Sequence, residues 1–556
     1  MSLRTTPPTI QATSFALRRP EEHFLPGGTP LYIIEAPGTG ALRLDVVFPA
    51  GKQHEIHPLQ SYYASQMLRY GCQGYTAAEF AERVDYYGAG LRSSVFMNRT
   101  CISLVTLKKH FASTVELMRR MLATPAYDEE RLRIRCDADK AQLRVNLQKG
   151  SFVAMRTLRQ SIYGNQHPCG TLVTPDDYDT LTSQHLRDYY DRYLSKGPCR
   201  LYLSGDVDDD TLAVLQSQLS TVNGQRTTVN GQQSTVDGQQ STDNSQWSTV
   251  NGQQSTDNSQ RSTDNSQRST VNCQLSIVNY DTSYQDSLQK ATSCYSSEKL
   301  KFHPSQPTLL SRRRHSSSRL DSALAALRNY DAAHQDSLLA RHSSSRLDSA
   351  LAALRNCQLV SLPGAVQDSI RIGCPMMDIG HPDYAPMRVL ATVLGGYFGS
   401  RLMQNVREEK GYTYDIGAHF VTAIPQTLFC IYCEAQAGKA REVIDEVCKE
   451  MHRLQTELIP DDELRMVRNY MAGDLCRNYE TAFDLIDAYL FEERLALPAT
   501  HFDQVFDAVQ TVSPQRLRQL AQQYLRPEMM HAVVVSNEEN EKYCVKNREN
   551  CCMIAK

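Results

Sequence analysis

The stretch of sequence that decides the fold is LGGYFGSRLMQNVREEKGYTY, Leu394–Tyr414. It is a glycine-rich helical segment that leads into a strand. The alternating apolar runs that follow it, YDIGAHFVTAI and TLFCIYCEAQ, predict two further strands because side chains in a strand alternate between its faces. Cys430 and Cys433 form a CxxC inside the second run, where we interpret them as structural thiols of a strand.

The same order of elements occurs in both halves of the chain. In the second half the strand SIRIGCPMM comes before the decisive stretch, and helices and the strand HAVVVS come after it. The first half opens with the strands PLYIIEAP and ALRLDVVFPAG, continues through helices and strands, and closes with CRLYLSGDV. Strands followed by runs of helices are typical of α+β domains with antiparallel sheets. We therefore predict two homologous α+β domains, each an antiparallel sheet packed with helices.

Between the halves the composition changes abruptly near Ser220. A seven-residue cycle such as STVNGQR offers at most one valine per repeat, too little apolar surface to offset the entropy of ordering. RHSSSRLDSALAALRN then occurs twice, at Arg314–Asn329 and Arg341–Asn356. We interpret this region as a disordered linker. The predicted organisation is an extension over 1–21, domains over 22–219 and 357–540, the linker over 220–356 and a tail over 541–556.

Composition excludes several classes of protein. Of the 556 residues 41% are hydrophobic and 22% charged, and the formal net charge of −3 lacks the basic surplus of a nucleic-acid binder. No apolar stretch is long enough to span a membrane, and the N-terminus has no apolar core of a secretory signal. We expect a cytoplasmic protein without nucleic-acid or membrane partners. The 16 cysteines are scattered rather than arranged as a disulfide framework.

The decisive stretch resembles the C-terminal domain of the insulinase/pitrilysin family of zinc peptidases. LPGAVQDSIRIG, Leu362–Gly373, is similar to the first strand of that domain, and Gly205–Val207 (GDV) resembles the end of the family's first domain. The resemblance covers nearly everything outside 220–356. It implies the two-domain fold of the mitochondrial processing peptidase. It also implies that Arg407 and Tyr414 line a substrate chamber and bind peptide.

The family's zinc motif, H-x-x-E-H, is absent from this chain. The family pattern places two histidines on one helix face as metal ligands, with a glutamate between them that activates water. Aligned by its flanks, the chain has Tyr62 and Gln66 at the histidine positions and Ser65 at the glutamate position. Downstream, ERLRIRCDADK offers Asp137 or Asp139 but no glutamate. A phenol and an amide are poor zinc ligands, so we predict no catalytic residue and no metal ligand in this chain.

A second possible metal site is His54-Glu55-Ile56-His57. It directly precedes Pro58, where a strand-to-helix turn is expected, and we interpret it as a solvated loop.

Some family members consist of two chains, one with the zinc motif and the other with the Arg/Tyr pair. By that resemblance this chain is predicted to be a catalytically inactive subunit that completes the chamber of a zinc-bearing homologous partner, with zinc bound by the partner. Two alternatives remain open. One is a purely structural or assembly subunit, including a homodimer that only binds peptides. The other is an active metallopeptidase with an atypical metal site.

Overall fold

The computed structural model describes residues 16–195, 199–219, 354–422 and 426–537. Strands of the first half form one six-stranded sheet in the order β1-β2-β6-β3-β5-β4. They are β1 (Glu21–Phe24), β2 (Pro30–Glu35), β3 (Ala41–Phe48), β4 (Gly90–Val95), β5 (Thr100–Leu107) and β6 (Arg200–Gly205).

The second half forms a five-stranded sheet in the order β7-β11-β8-β10-β9. Its strands are β7 (Asn356–Ser361), β8 (Gln367–Asp378), β9 (Thr413–Val421), β10 (Gln426–Gln436) and β11 (His531–Ser536). Without the edge strand β1, the first sheet follows the same path, with β2, β6, β3, β5 and β4 in the places of β7, β11, β8, β10 and β9. The predicted α+β class with two matching halves is confirmed.

Each sheet departs from the antiparallel pattern at one pair of strands. β2 runs parallel to β6, and β7 runs parallel to β11, whereas the remaining pairs are antiparallel. The parallel pair joins the first and last strands of the repeated unit. Parallel neighbours need a long crossover connection, and the helices of each half provide it.

Helices account for most of the remaining described residues. In the first half they are α1 (Gln60–Gln66), α2 (Ala77–Tyr86), α3 (Phe111–Ala123), α4 (Glu129–Asn146), α5 (Gly150–Tyr163), α6 (Pro175–Thr180) and α7 (Ser183–Tyr189). Residues 209–219 are also helical. In the second half they are α8 (Tyr384–Ala391), α9 (Ala440–Thr456), α10 (Asp461–Asn478), α11 (Ala482–Arg494), α12 (His501–Thr511) and α13 (Pro514–Tyr524). Among the described residues no helix is both long and apolar enough to cross a bilayer.

Each half has its own large apolar core, between one face of its sheet and its helices. In β10, alternate side chains such as Phe429, Ile431 and Cys433 enter the core of the second half. Cys430 points to the opposite face, so the two thiols of the CxxC lie on different sides of the sheet. Burial raises the pKa of both thiols to about 12, which agrees with inert structural cysteines.

The two halves exchange one helix each. Helix α5 packs across β8 and β11 of the second sheet, where Met155 and Leu158 join a buried apolar cluster with Val533 and Val535. In return α11 packs across β2 and β6 of the first sheet. The apolar side chains of α11 in this contact are Ala482, Leu485 and Ile486. They pack against Ile34, Val47 and Tyr202 of the first sheet. Each sheet is thus covered on its second face by a helix from the other half.

Polar contacts hold α11 in this position. Asp487 accepts hydrogen bonds from both terminal nitrogens of Arg43, at 2.9 and 2.7 Å. Glu493 accepts from the guanidinium of Arg200 and from the hydroxyl of Tyr202. These contacts fix the position of the exchanged helix on the first sheet.

The proposed division at 22–219 and 357–540 remains a prediction. The sheets begin at Glu21 and Asn356, which fits that division, but the exchanged helices make the halves structurally dependent on each other. The predicted linker over 220–356 lies outside the described residues except for 354–356, and Asn356 already begins β7. Most of the extension and the whole tail also lie outside the described residues.

Candidate functional site

The aligned zinc-motif positions lie on α1, and all seven residues of this helix are buried. Side chains at two of the positions are engaged in local hydrogen bonds. The hydroxyl of Ser65 donates to the carbonyl of Tyr62 at 2.9 Å. The amide of Gln66 donates to the carbonyl of Ser93 at 3.2 Å and accepts from Arg69 at 2.7 Å. The assignment of these positions to the motif remains a prediction.

The downstream acid faces this helix. Asp139 of α4 is buried and accepts a hydrogen bond from the hydroxyl of Tyr63 at 2.7 Å. One turn earlier in α4, Arg135 donates to the same carboxylate oxygen at 3.0 Å and is also buried. Asp137 is exposed and points away. Of the two candidates offered by the sequence, Asp139 is the one that reaches α1.

The side chains present here do not fit a zinc ion. The guanidinium of Arg135 interacts electrostatically with the phenols of Tyr62, Tyr63 and Tyr70 as well as with Asp139, so a fixed positive charge already occupies the space between α1 and α4. A second cation would be repelled, and arginine has no lone pair to offer. In the part of the chain that the structure describes, no three potential ligands among His, Cys, Asp and Glu come together.

The histidines of the upstream segment face different partners. His54 lies in a short 3₁₀ turn, and its Nδ1 accepts from the backbone N–H of Gly51 at 3.1 Å. The ring of His57 stacks on His185 at 4.7 Å between centroids, and its Nε2 lies 2.9 Å from the hydroxyl of Thr180. These contacts account for the positions of both imidazole rings without a bound metal.

The glycines of the decisive stretch bring its helix against the second sheet. Helix α8 continues as a π-helical turn over Thr392–Gly396. A Cβ atom on Gly395 would lie 2.5 Å from the backbone nitrogen of Ala418 in β9 and 2.8 Å from its Cβ. Only a glycine allows this approach, which places the following residues at the edge of the sheet.

Arg407 lies in a second π-helical segment, Met403–Glu409, directly before β9. Its guanidinium carbon lies 4.7 Å from the ring centroid of Phe398, and its Nε lies 3.4 Å from a carboxylate oxygen of Glu408. Tyr414, on the edge strand β9, is 82% exposed and Phe398 is 61% exposed. The arginine thus has both an aromatic and an acidic neighbour, while the tyrosine faces solvent instead of the sheet core.

Two residues of this site were not singled out from the sequence. Phe398 lies inside the stretch that decides the fold, and the signal was an aromatic residue between glycines. Arg135 lies inside the downstream segment, and the signal was a basic residue four positions before Asp139, the spacing of an ion pair on one helix face.

Comparison with protein-family models and with individual sequences found proteins that are similar to parts of this chain. The family described as "Peptidase M16 inactive domain" matches residues 349–471. The "Uncharacterized zinc protease YmxG" of Bacillus subtilis is 24% identical over 168 residues, which is 30% of this chain and 41% of that protein. The "Uncharacterized zinc protease SCO5738" of Streptomyces coelicolor is 25% identical over 140 residues, 25% of this chain and 30% of that protein. The matches therefore span less than half the length of these two relatives.

Solved structures share the fold along most of the chain. A peptidase M16 inactive domain from Pseudomonas fluorescens has a TM-score of 0.62 at 15% identity, covering 93% of this chain and 98% of that one. A protease from Helicobacter pylori has a TM-score of 0.63 at 12% identity, covering 93% and 100%. The first half of the periplasmic protease PqqL from Escherichia coli has a TM-score of 0.56 at 11% identity, covering 94% and 92%. At sequence identities this low, the similarity to these structures shows a shared fold alone.

Proposed function

Because this chain is a member of the insulinase/pitrilysin-type peptidase family, with a match to the family's inactive domain, we propose that it is a non-catalytic subunit. In this role it completes the peptide-binding chamber of a homologous partner that carries the zinc. Arg407 and Tyr414 contribute the binding surface, and the zinc ion belongs to the partner.

One observation supports the proposal: the space beside the predicted motif positions is filled by an ion pair, whereas the surface around the predicted peptide-binding residues is exposed. The buried Arg135–Asp139 ion pair of α4 lies against α1, the helix on which the alignment places the motif positions. On the edge strand of the second sheet Tyr414 is exposed, and so is Phe398, whose ring centroid lies 4.7 Å from the guanidinium carbon of Arg407. A guanidinium and a phenol at a strand edge can hydrogen-bond to peptide carbonyls without reading side chains, which suits the binding of varied peptides.

The test is a peptidase assay on a quenched, unstructured peptide, with this chain alone, a zinc-motif homologue from the same genome alone, and the mixture. Metal content is measured for each sample. We expect cleavage to rise in the mixture, with zinc found only in the homologue. Arg407→Ala and Tyr414→Phe should each lower the activity of the mixture by about 100-fold or more, in the range found for lost transition-state hydrogen-bond donors.

Matched controls are Arg465→Ala and Tyr86→Phe, which alter exposed side chains of the same types elsewhere on the surface. They should leave the activity of the mixture unchanged. Zinc and activity in this chain alone would refute the proposal in favour of an atypical metallopeptidase.

The contact between Arg407 and Glu408 favours a second candidate, a purely structural subunit in which this arginine only stabilises the helix end. In that case Arg407→Ala would leave the activity of the mixture intact, although the two chains still associate. The same assay thus separates the two functions.

A further inference from the structure

The solvent side of α4 carries an apolar stripe. Ile134, Ala138, Ala141 and Val145 follow one another at the spacing that places side chains on one face of a helix. All four are exposed, Ile134 by 53% and Val145 by 50%. Single exposed apolar residues are common on protein surfaces, whereas these four form a continuous line along one helix.

The other sides of α4 already have partners. Leu132, Cys136 and Leu143 are buried in the apolar core of the first half. One flank packs on α6, where the guanidinium of Arg133 donates to the carbonyl of Tyr178 at 3.2 Å. The helix is thus fixed in the fold by its buried sides, and the apolar stripe is a second apolar surface that the fold of the described residues does not use.

Charged side chains line one edge of the stripe. Glu130, Asp137 and Arg144 are seven residues apart, so they lie nearly in line along the helix. All three are exposed, and none has an ion-pair partner within 4.0 Å in the described part of the chain. Two acids therefore precede a base along this edge, and each of the three charges is available to another molecule.

The apolar stripe is complementary to itself when two α4 helices lie antiparallel. With a two-fold axis between positions 139 and 140, Ile134 of one copy meets Val145 of the other, and Ala138 meets Ala141. The alanines at the centre allow the helix axes to approach to about 8 Å. The larger Ile134 and Val145 side chains then fill the two ends of the contact.

The charged edge is complementary in the same arrangement. Asp137 of each copy lies beside Arg144 of the other, so the two-fold axis generates two ion pairs. In a parallel pair of helices, Asp137 would instead face the neutral Gln142. The charges therefore favour the same antiparallel orientation as the apolar side chains.

We propose that the apolar stripe of α4 binds a second copy of this chain, with the two helices antiparallel around a two-fold axis. One helix from each copy forms a smaller contact than a standard protein interface, so the dimer is weak and depends on concentration. The proposal does not rest on the proposed function, because Arg407 and Tyr414 belong to the second half and take no part in this contact.

The test is sedimentation velocity of the full chain without any partner, from low micromolar to near-millimolar concentration. We expect the sedimentation coefficient to rise with concentration toward that of a dimer. Ala138→Glu places a carboxylate at the centre of the contact and should raise the Kd of the dimer by about 10-fold or more. Ala78→Glu, the same change at an exposed alanine of α2, should leave the Kd unchanged.

Exchange of the charges tests the orientation of the helices. Asp137→Arg and Arg144→Asp should each weaken the dimer, because each sets like charges against one another across the axis. An equimolar mixture of the two variants should dimerise again, since the introduced arginine of one chain then lies beside the introduced aspartate of the other. This recovery also shows that both variants are folded.

A chain that stays monomeric at every concentration would overturn the proposal, and so would a dimer that is equally strong in Ala138→Glu. A mixture of the charge variants that dimerises no better than each variant alone would exclude the antiparallel contact.

Discussion

The carboxylate of Asp139 lies between the hydroxyl of Tyr63 at 2.7 Å and the guanidinium of Arg135 at 3.0 Å, in the space between α1 and α4. The positions aligned with the family's zinc motif, Tyr62, Ser65 and Gln66, are predicted on this α1 helix. Here the positive charge is supplied by a side chain of the same helix that supplies the acid. The carboxylate thereby links α4 to α1.

Asp139→Asn should destabilise the protein strongly. The change leaves the buried Arg135 without its countercharge, a loss on the order of 3–5 kcal/mol in the free energy of unfolding. Urea unfolding followed by circular dichroism measures the effect. Asp137→Asn, an exposed change two residues earlier in α4, should be nearly neutral, and equal losses for both variants would contradict the role of the buried pair.

Gly395→Ala and Gly473→Ala should change stability in opposite directions. The new Cβ at position 395 would lie 2.5 Å from the nitrogen of Ala418, and such overpacking costs about 1–3 kcal/mol. At position 473, inside α10, nothing lies within 4 Å, and alanine in a helix is favoured by about 0.5–1 kcal/mol. Thermal unfolding compares the two variants with the parent. A stable Gly395→Ala variant would mean that the helix does not press on β9 as described.

Acidification should destabilise the protein through His501. His501 is 4% exposed, and burial lowers its pKa from 6.5 to about 4. Between these values the unfolded chain binds the extra proton and the folded one does not, so the free energy of unfolding falls as pH falls from about 6.5 to about 4. The contribution is on the order of 3 kcal/mol.

Urea unfolding at pH 7, 5.5 and 4.5 measures the slope of the free energy of unfolding against pH. His501→Gln should make it shallower, and His452→Gln, a change at an exposed histidine of α9, should leave it as it is. An unchanged slope in His501→Gln would exclude this histidine as a source of the acid sensitivity.

Cutting the chain between 220 and 353 should not separate the halves. Each half contributes a helix to the other's sheet, so separation would expose the apolar clusters around Leu158 and Ile486. A specific protease site inserted in this region and size-exclusion chromatography after cleavage provide the test. We expect both fragments in one peak.

Leu158→Asp should weaken this association, because it buries a charge in the contact of α5 with the second sheet. Leu458→Asp, at a side chain that is 42% exposed, is the matched control. Separate elution of the parent's fragments would contradict the helix exchange.

The sequence was sufficient for the class of fold, because strand and helix periods are local properties of the chain. It also identified Asp139 as a candidate, and the structure places its carboxylate against α1. The partner of an amphipathic helix is not a local property. The apolar face of α5 predicts that Leu158 is buried, but not that it is buried on the sheet of the other half. The parallel pairs were missed for the same reason, since strand direction depends on how the helices connect β2 to β6 and β7 to β11.

The exchanged helix α5 also has a consequence for biosynthesis. The hydroxyl of Ser161 lies 3.0 Å from Nδ1 of His531 across a separation of 370 residues. At translation rates of about 5–20 residues per second, α5 leaves the ribosome roughly 20–70 s before its sheet is complete. During that interval its apolar face has no native partner, and such transiently exposed apolar surface is prone to aggregation. Native assembly of the first half is therefore completed only after the last strand, β11, has been synthesised.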